Sequence, residues 1–378
     1  MAQWVLWNNC LPNVHPFYAV KCNPDPRLLG WLYRRGASFD CASAREMFLV
    51  KEHFGKHALG NRVLFANPCK TPNDIRVGKE LSIPWVTTDS IEELIKMAEA
   101  DYKPNILLRL AVDDSGSSCP FSSKFGLRED QVEEVARAAN DLKIPIVGLS
   151  FHVGSGSKTP AAFGSAIHTS HDVWAMLRGK QLVSYRMNTL DIGGGWSSNP
   201  KLFTEQANYV NLSLRRAPRP TQVIAEPGRF FAAPVADLYV RIVGKKPLCD
   251  GRKGWRYTID ESIYGMFSCV PFDHAEPKIA RVDNLHPSLP KQRPLTQATL
   301  FGRTCDSLDI IVKSEELEEL DVGDWLYVPH MGAYTTATAT EFNGFPKPDM
   351  IETTDEPDNE QLSWFQKLKY PLSKMLSV

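Results

Sequence analysis

Long apolar runs are missing from this 378-residue chain. No stretch reaches the roughly 20 consecutive apolar residues that cross a bilayer. The opening residues, MAQWVLWNNC, have no basic flank and too short an apolar run for a secretory leader. An excess of one charge is missing too. The net charge is -1, and nothing marks a nucleic-acid or membrane footprint, so neither partner is expected. The eight cysteines are scattered and form no CxxC pair. That argues against a disulfide framework or a zinc ribbon, and for reduced thiols in a cytoplasmic protein. No internal repeat is visible.

What is there is ordinary globular composition, 43% apolar and 23% charged. The length suits two domains, or one large barrel with a smaller unit. Short β-type runs recur in the order FYAVK, ASFDC, VLFA, WVTT, ILLRL, VGLSFHV, NTLDIG and VIAEP. Amphipathic segments such as SIEELIKMAEADY and EDQVEEVARAANDL lie between them. Near-continuously apolar strands alternating with helices are the mark of parallel βα units. About eight such units predict a (β/α)8 TIM-like barrel, with a doubly wound open sheet as the alternative.

After about Phe231 the pattern changes. VADLYVRIVGKK, GWRYTID, ATLFG, DWLYVP and AYTTATATEF are strand-like with little helix between them, which predicts an all-β domain. The proline-rich PFDHAEPKIARVDNLHPSLPKQRPLTQ reads as a long surface loop. The expected division is a barrel over 1–235, a β-domain over 236–350, and an acidic linker with a terminal tail over 351–378. LSWFQKLKYPLSKML in that tail reads as a short helix.

A barrel of this kind carries its chemistry at the C-terminal ends of its strands. Lys21, Asp40, Arg109, His152, the glycines Gly193, Gly194 and Gly195, and Glu226 with Gly228 and Arg229 all fall there. Loops after the seventh and eighth strands are common phosphate sites. Glycine lets backbone N–H groups approach an anion, and arginine adds charge-assisted hydrogen bonds. Three glycines alone also make a plain tight turn; it is the arginine loop beside them that favours phosphate. DIGGGW is not GxGxxG, and GSGSKT lacks the Gly-Lys of a P-loop.

A lysine among apolar residues tends to lose its proton or to pair with an anion. A deprotonated lysine forms a Schiff base with an aldehyde. Lys21, a phosphate cradle and a carboxylate such as Glu226 are together what pyridoxal 5'-phosphate requires: the carboxylate would keep a pyridine nitrogen protonated. Taken singly, Lys21 also fits a surface lysine closing a strand, Glu226 an ion pair with Arg229, and His152 a satisfied core histidine. His168 and His171 have i, i+3 spacing, but no third ligand is evident and no metal is expected.

The motifs PFYAVKCN, FDCAS, FANPCK, SFHVGSG, DIGGG, AEPGRF, YGMF, FDHA, TCDSLD, GDWLYV, MGAY and FNGF together resemble the eukaryotic ornithine decarboxylases, fold-type III (alanine-racemase-like) pyridoxal phosphate enzymes. The resemblance runs from about Leu11 to about Pro346. It implies that Lys21 holds the cofactor as a Schiff base, with Asp40 and Glu46 supporting it. It implies that His152 stacks on the ring and Glu226 faces the ring nitrogen. Ser155, Gly193 to Gly195, Gly228, Arg229 and Tyr334 would hold the phosphate. Asp273, Asp306 and Tyr264 would bind substrate, and Cys305 would protonate Cα after carbon dioxide leaves. A homodimer with shared sites follows, because Cys305 and Asp306 would reach across to the partner.

The expected activity is decarboxylation of L-ornithine or a close basic amino acid to a diamine such as putrescine. Two carboxylates beyond the ring attract a cationic side-chain end and would be left unpaired by a neutral one. A lysine, arginine or specialised-metabolism decarboxylase, and a silent homologue like the antizyme inhibitors, stay open beside it. An antizyme-type regulator is a further expected partner. Relatives carry several tens of further N-terminal residues, including a β-domain strand. Departures from the family pattern are Pro120, Trp196, Glu261 and Phe272.

Overall fold

The computed structural model describes residues 2–183, 187–216, 222–249, 253–282 and 293–352. Eight strands lead: β1 (Val14–Ala19), β2 (Ser38–Cys41), β3 (Val63–Phe65), β4 (Trp85–Thr88), β5 (Asn105–Arg109), β6 (Ile146–Ser150), β7 (Thr189–Asp191) and β8 (Gln222–Ala225). Each pairs in parallel with the next, and β1 pairs with β8 through Val14↔Val223 to Pro16↔Ala225. That closure decides between barrel and open sheet. Phe17, Leu64, Leu107, Val147 and Ile224, from five strands, fill the interior, with Trp85 stacked on Phe17.

Helices cover the outside: α1 (Ala2–Cys10), α2 (Pro26–Arg34), α3 (Ala44–Phe54), α4 (Lys56–Arg62), α5 (Pro72–Glu80), α6 (Ile91–Glu99), α7 (Glu129–Asp141), α8 (Ala161–Gly179) and α9 (Pro200–Arg216). Local chemistry starts several of them. Thr71 and Asp74 form a capping box on α5, and the Ser43 and Ser90 hydroxyls accept the N–H groups of Glu46 and Glu93. On α1, the fully buried Trp7 packs edge-on to Trp196 and Phe230 and stacks on Phe203, an aromatic wall behind the loops that follow β7 and β8.

A short helix, α10 (Arg229–Ala232), leads into the second sheet: β9 (Leu238–Pro247), β10 (Trp255–Ile259), β11 (Ala280–Arg281), β12 (Leu295–Phe301), β13 (Ile310–Glu318) and β14 (Trp325–Val328), in the order β11-β14-β9-β10-β12-β13. Leu238, Val240 and Ile242 alternate into a core shared with Tyr257, Ile259, Leu326 and Val328. The expected architecture, a barrel followed by a β-domain, is therefore present.

Three local expectations need correction. AYTTATATEF is not a strand. Thr335 and Thr338 donate their hydroxyls back to the carbonyls of Met331 and Tyr334, which offers the backbone an alternative to a ladder. The proline-rich stretch is not loop throughout: it opens inside α11 (Cys269–Asp273), contains β11 and ends in β12, while residues 283–292 lie outside the described residues. β13 was missed, because Lys313, Glu315, Glu316 and Glu318 mask the buried pair Ile311 and Val312. The tail from residue 353, including its expected helix, also lies outside the described residues. Among the described residues no helix is long and apolar enough to cross a membrane.

Candidate active site

β1 stops at Ala19, and Lys21 sits in the 3-10 turn Val20–Cys22 that follows. Its Nζ donates to Asp40 Oδ2 at 2.8 Å. Asp40 is wholly buried, whereas the Lys21 side chain is 45% exposed because it opens onto a pocket at the strand ends. Of the two fates open to the lysine, pairing wins. Desolvation lowers its pKa, but the charges of Asp40, Tyr334 and Glu226 outweigh that and hold the ammonium above the ordinary lysine range. Glu46 stands one layer back, its Oε2 accepting the Ala42 N–H at 2.6 Å.

His152 and Glu226 line the same pocket. His152 Nδ1 accepts the Gly154 N–H at 2.9 Å, which places the ring proton on Nε2. Burial, then Arg109 and Lys21, push its pKa well down, so the ring is neutral. Arg109 ends β5, with its guanidinium over the Phe125 ring. Glu226 follows β8, and its N–H donates to the Gly193 carbonyl at 2.8 Å. Desolvation, then the charges of Asp191 and Asp40, raise its carboxyl well above the usual range.

The glycine loop is tight for a physical reason. A Cβ on Gly193 would lie 2.0 Å from the Phe151 carbonyl, and one on Gly194 would lie 2.6 Å from His152 Nε2. Gly193 also sits at φ +61°, in the left-handed region. Gly194, Gly195, Gly228, Arg229, Tyr334 and Ser155 line the pocket wall. Arg229 pairs with Asp273 on α11, and Ser155 Oγ donates to Asp273 Oδ1 at 3.4 Å. The alternative of an Arg229–Glu226 pair is thereby set aside. Asp273 itself does not line the pocket; it lies behind the lining side chains Ser155 and Arg229, on α11 of the β-domain.

Cys305, Asp306 and Tyr264 do not line this pocket. They form their own group on the β-domain, where the Tyr264 hydroxyl donates to Asp306 and the Cys305 N–H donates to Asn343 Oδ1 at 3.1 Å. Cys305 is exposed. Nearby, Glu261 accepts the Ser262 N–H at 2.8 Å, and Phe272 is 68% exposed. His168 and His171 share a helix face with no further ligand, and among the described residues no cluster of three metal-ligating side chains occurs.

Three contributors were not singled out from the sequence for these roles. Phe121 lines the pocket and meets His152 edge-on, its ring centroid 4.9 Å away. Asp114 positions it by accepting the N–H groups of Phe121 and Ser122. Trp196 donates its indole N–H to the Gly193 carbonyl at 2.9 Å and stacks on Phe163. The Asp-Asp-Ser-Gly turn and the residue after three glycines were the available signals.

These groups fit pyridoxal phosphate. An amine stands beside a buried carboxylate whose Oδ1 has no hydrogen-bond partner among the described residues, and an acid, a glycine cradle and an arginine line the same pocket. Family comparison decides the matter. The model of the pyridoxal-dependent decarboxylase pyridoxal-binding domain matches residues 1–233, and that of the C-terminal sheet domain matches 234–332. The chain belongs to the pyridoxal-dependent decarboxylases. Its cofactor is pyridoxal 5'-phosphate, and it is a carboxy-lyase.

Mouse ornithine decarboxylase is 35% identical over 97% of this chain and 81% of its own length. The Paramecium bursaria Chlorella virus arginine decarboxylase bound to agmatine superposes with a TM-score of 0.83 at 33% identity, covering 92% of this chain and 91% of its own. The Vibrio vulnificus lysine/ornithine decarboxylase complexed with cadaverine gives 0.81 at 32% identity, covering 94% and 92%. The resemblance to ornithine decarboxylases read from the motifs thus holds at the level of family and fold. The decarboxylase relatives span more than one basic substrate.

Proposed function

We propose that this decarboxylase acts on L-ornithine, or a close basic amino acid, and releases the corresponding diamine, putrescine for ornithine. The observation that carries the reading is Asp273: a buried carboxylate held against two pocket-lining side chains, Ser155 and Arg229. A distal ammonium is the partner such a carboxylate selects.

Bound pyridoxal phosphate supplies an aldehyde for an amine and an electron-poor ring that accepts the electrons left as carbon dioxide departs. In this reading the Lys21 amine would hold the cofactor, and Asp40 would keep the Lys21 nitrogen in place. The neutral His152 ring would pack against the bound cofactor, and Glu226 would favour a proton on its pyridine nitrogen. Ser155, Gly193 to Gly195, Gly228, Arg229 and Tyr334 bind the phosphate. Asp273 and Asp306, with Tyr264, bind the distal ammonium, and Cys305 Sγ delivers a proton to Cα.

Cys305, Asp306 and Tyr264 stand apart from the pocket of their own chain. That separation supports a homodimer in which the β-domain, 236–350, completes the site of a partner's barrel, 1–235. We place the enzyme in the cytoplasm, consistent with eight free thiols. An antizyme-type regulator rests on the resemblance alone.

Arginine and lysine are the competing substrates, favoured by the solved structures of arginine and lysine/ornithine decarboxylases. Product analysis with L-ornithine, L-lysine and L-arginine in parallel, beside a Lys21→Ala control, tests the proposal. Ornithine should give the highest kcat/KM; a preference for either rival would replace it.

A further inference from the structure

Asp191 ends β7 and is wholly buried, yet neither the cofactor contacts nor the substrate contacts above use it. Its Oδ1 accepts the Gly193 N–H at 2.9 Å. Among the described residues its Oδ2 meets no hydrogen-bond donor. The group facing it is the Glu226 carboxyl, one residue beyond β8, and the two are placed to share a hydrogen bond. The strands fix this approach: Asp191 is in register with Ile224, and the Glu226 N–H is bonded to the Gly193 carbonyl.

Two adjacent carboxylates, one of them wholly buried, cannot both ionise at modest cost. One proton between them removes the repulsion and satisfies Oδ2 at once. Oδ1 is already engaged by an N–H donor, so the proton belongs on the Oδ2 side. The other charges around the pair are Lys21 and Arg109, both cationic, and Asp40, anionic, while His152 is neutral. A pair carrying one negative charge leaves that cluster balanced.

We propose that Asp191 is the positioning residue for Glu226: the two hold a single proton between them, which orients the Glu226 carboxyl and limits the pair to one negative charge toward the cofactor nitrogen. Opposite a cationic ring nitrogen the proton rests on Asp191 Oδ2 and the charge on Glu226, with no net gain or loss by the pair. This inference rests on Glu226 being the acid that faces that nitrogen.

The geometry sets the sign of a pH effect in the cofactor-free protein. Burial pushes Asp191 up to about 7 and raises Glu226 as well. A carboxyl whose folded pKa is raised favours the folded state below the ordinary carboxylate range, and that advantage is lost as pH rises toward the folded value. The amide introduced by Asp191→Asn would keep an acceptor for the Gly193 N–H and a donor toward Glu226 while carrying no proton to lose.

The experiment compares wild type, Asp191→Asn, Asp191→Ala and Glu226→Gln, each checked for folding by circular dichroism. Two readouts are taken: the thermal midpoint of the cofactor-free protein from about pH 5 to about pH 8, and pyridoxal phosphate affinity by quenching of tryptophan fluorescence. Asp191→Asn should bind within about threefold of wild type, and Asp191→Ala about tenfold or more weakly. The midpoint of wild type should fall by a few degrees more than that of Asp191→Asn across the range. Parallel pH slopes, or an amide variant as weak as the Asp191→Ala variant, would overturn the shared proton. Should Glu226→Gln match wild type in affinity and in the absorbance of the bound cofactor, the assignment of Glu226 itself fails, a separate outcome.

Discussion

The Lys21 ammonium lies 2.8 Å from Asp40 Oδ2, a carboxylate with no exposure to solvent. This pair holds the amine at the end of β1 in one position while the rest of the side chain opens onto the pocket. It also sets the amine's acidity. Partial desolvation at the pocket wall would favour the neutral amine, and the Asp40 charge reverses that.

Replacing Asp40 with Asn should therefore lower the Lys21 pKa, because burial then acts without the compensating charge. Modification of Lys21 by an amine-selective reagent, followed across pH by peptide mapping, should show its inflection move to lower pH. An unchanged inflection would mean that Asp40 does not govern the amine.

Arg229 and Asp273 should separate in their effects although they form one ion pair. If Arg229 binds the phosphate as proposed, Arg229→Ala removes a charge-assisted contact and should cost about 2 kcal/mol of cofactor affinity, roughly thirtyfold. Asp273→Ala should leave cofactor affinity nearly unchanged and raise KM for the basic amino acid by about tenfold or more. Fluorescence titration and steady-state kinetics measure the two. Equal losses of cofactor affinity would show that Asp273 serves the cofactor instead.

Trp196 joins the glycine loop to the aromatic wall. Trp196→Ala should lose about 3–5 kcal/mol of stability in urea unfolding, from the buried indole area and the cavity left behind. Trp196→Phe keeps most of the packing and forfeits one hydrogen bond to Gly193, about 1 kcal/mol. The Glu226 N–H still satisfies that carbonyl in the variant.

Subunit mixing tests whether sites are shared. Lys21→Ala and Cys305→Ala should each be nearly inactive alone. If Cys305 works across a twofold interface, random mixing gives half heterodimers with one intact site each, so about a quarter of wild-type activity returns. No recovery on mixing would place Cys305 and Lys21 in the same chain's site.

Much of this site was legible because barrels put chemistry at strand ends, and apolar runs locate those ends. Lys21, Asp40, His152 and Glu226 were each picked out as candidates that way, and the structure gathers them at one end of the barrel. The Arg229–Asp273 pair was not, since it joins the barrel to the second domain and no local pattern predicts such a meeting. Asp191 was hidden inside DIGGG, where the glycines dominate the reading and its burial beside Glu226 depends on the β7–β8 register. In the β-domain, alternating threonine and alanine imitated a strand, and a run of glutamates disguised a real one. Both errors share a cause: side-chain hydrogen bonding and half-exposed strand faces override simple periodicity.

The proposed attachment of the cofactor to Lys21 underlies every role assigned above. Saturating the protein with pyridoxal phosphate, reducing with borohydride and mapping the peptides by mass spectrometry tests it directly. The account predicts the reduced pyridoxyl phosphate group on Lys21 and its loss in Lys21→Ala. Label on another lysine, such as the buried Lys70, or no label in saturated protein, would contradict it.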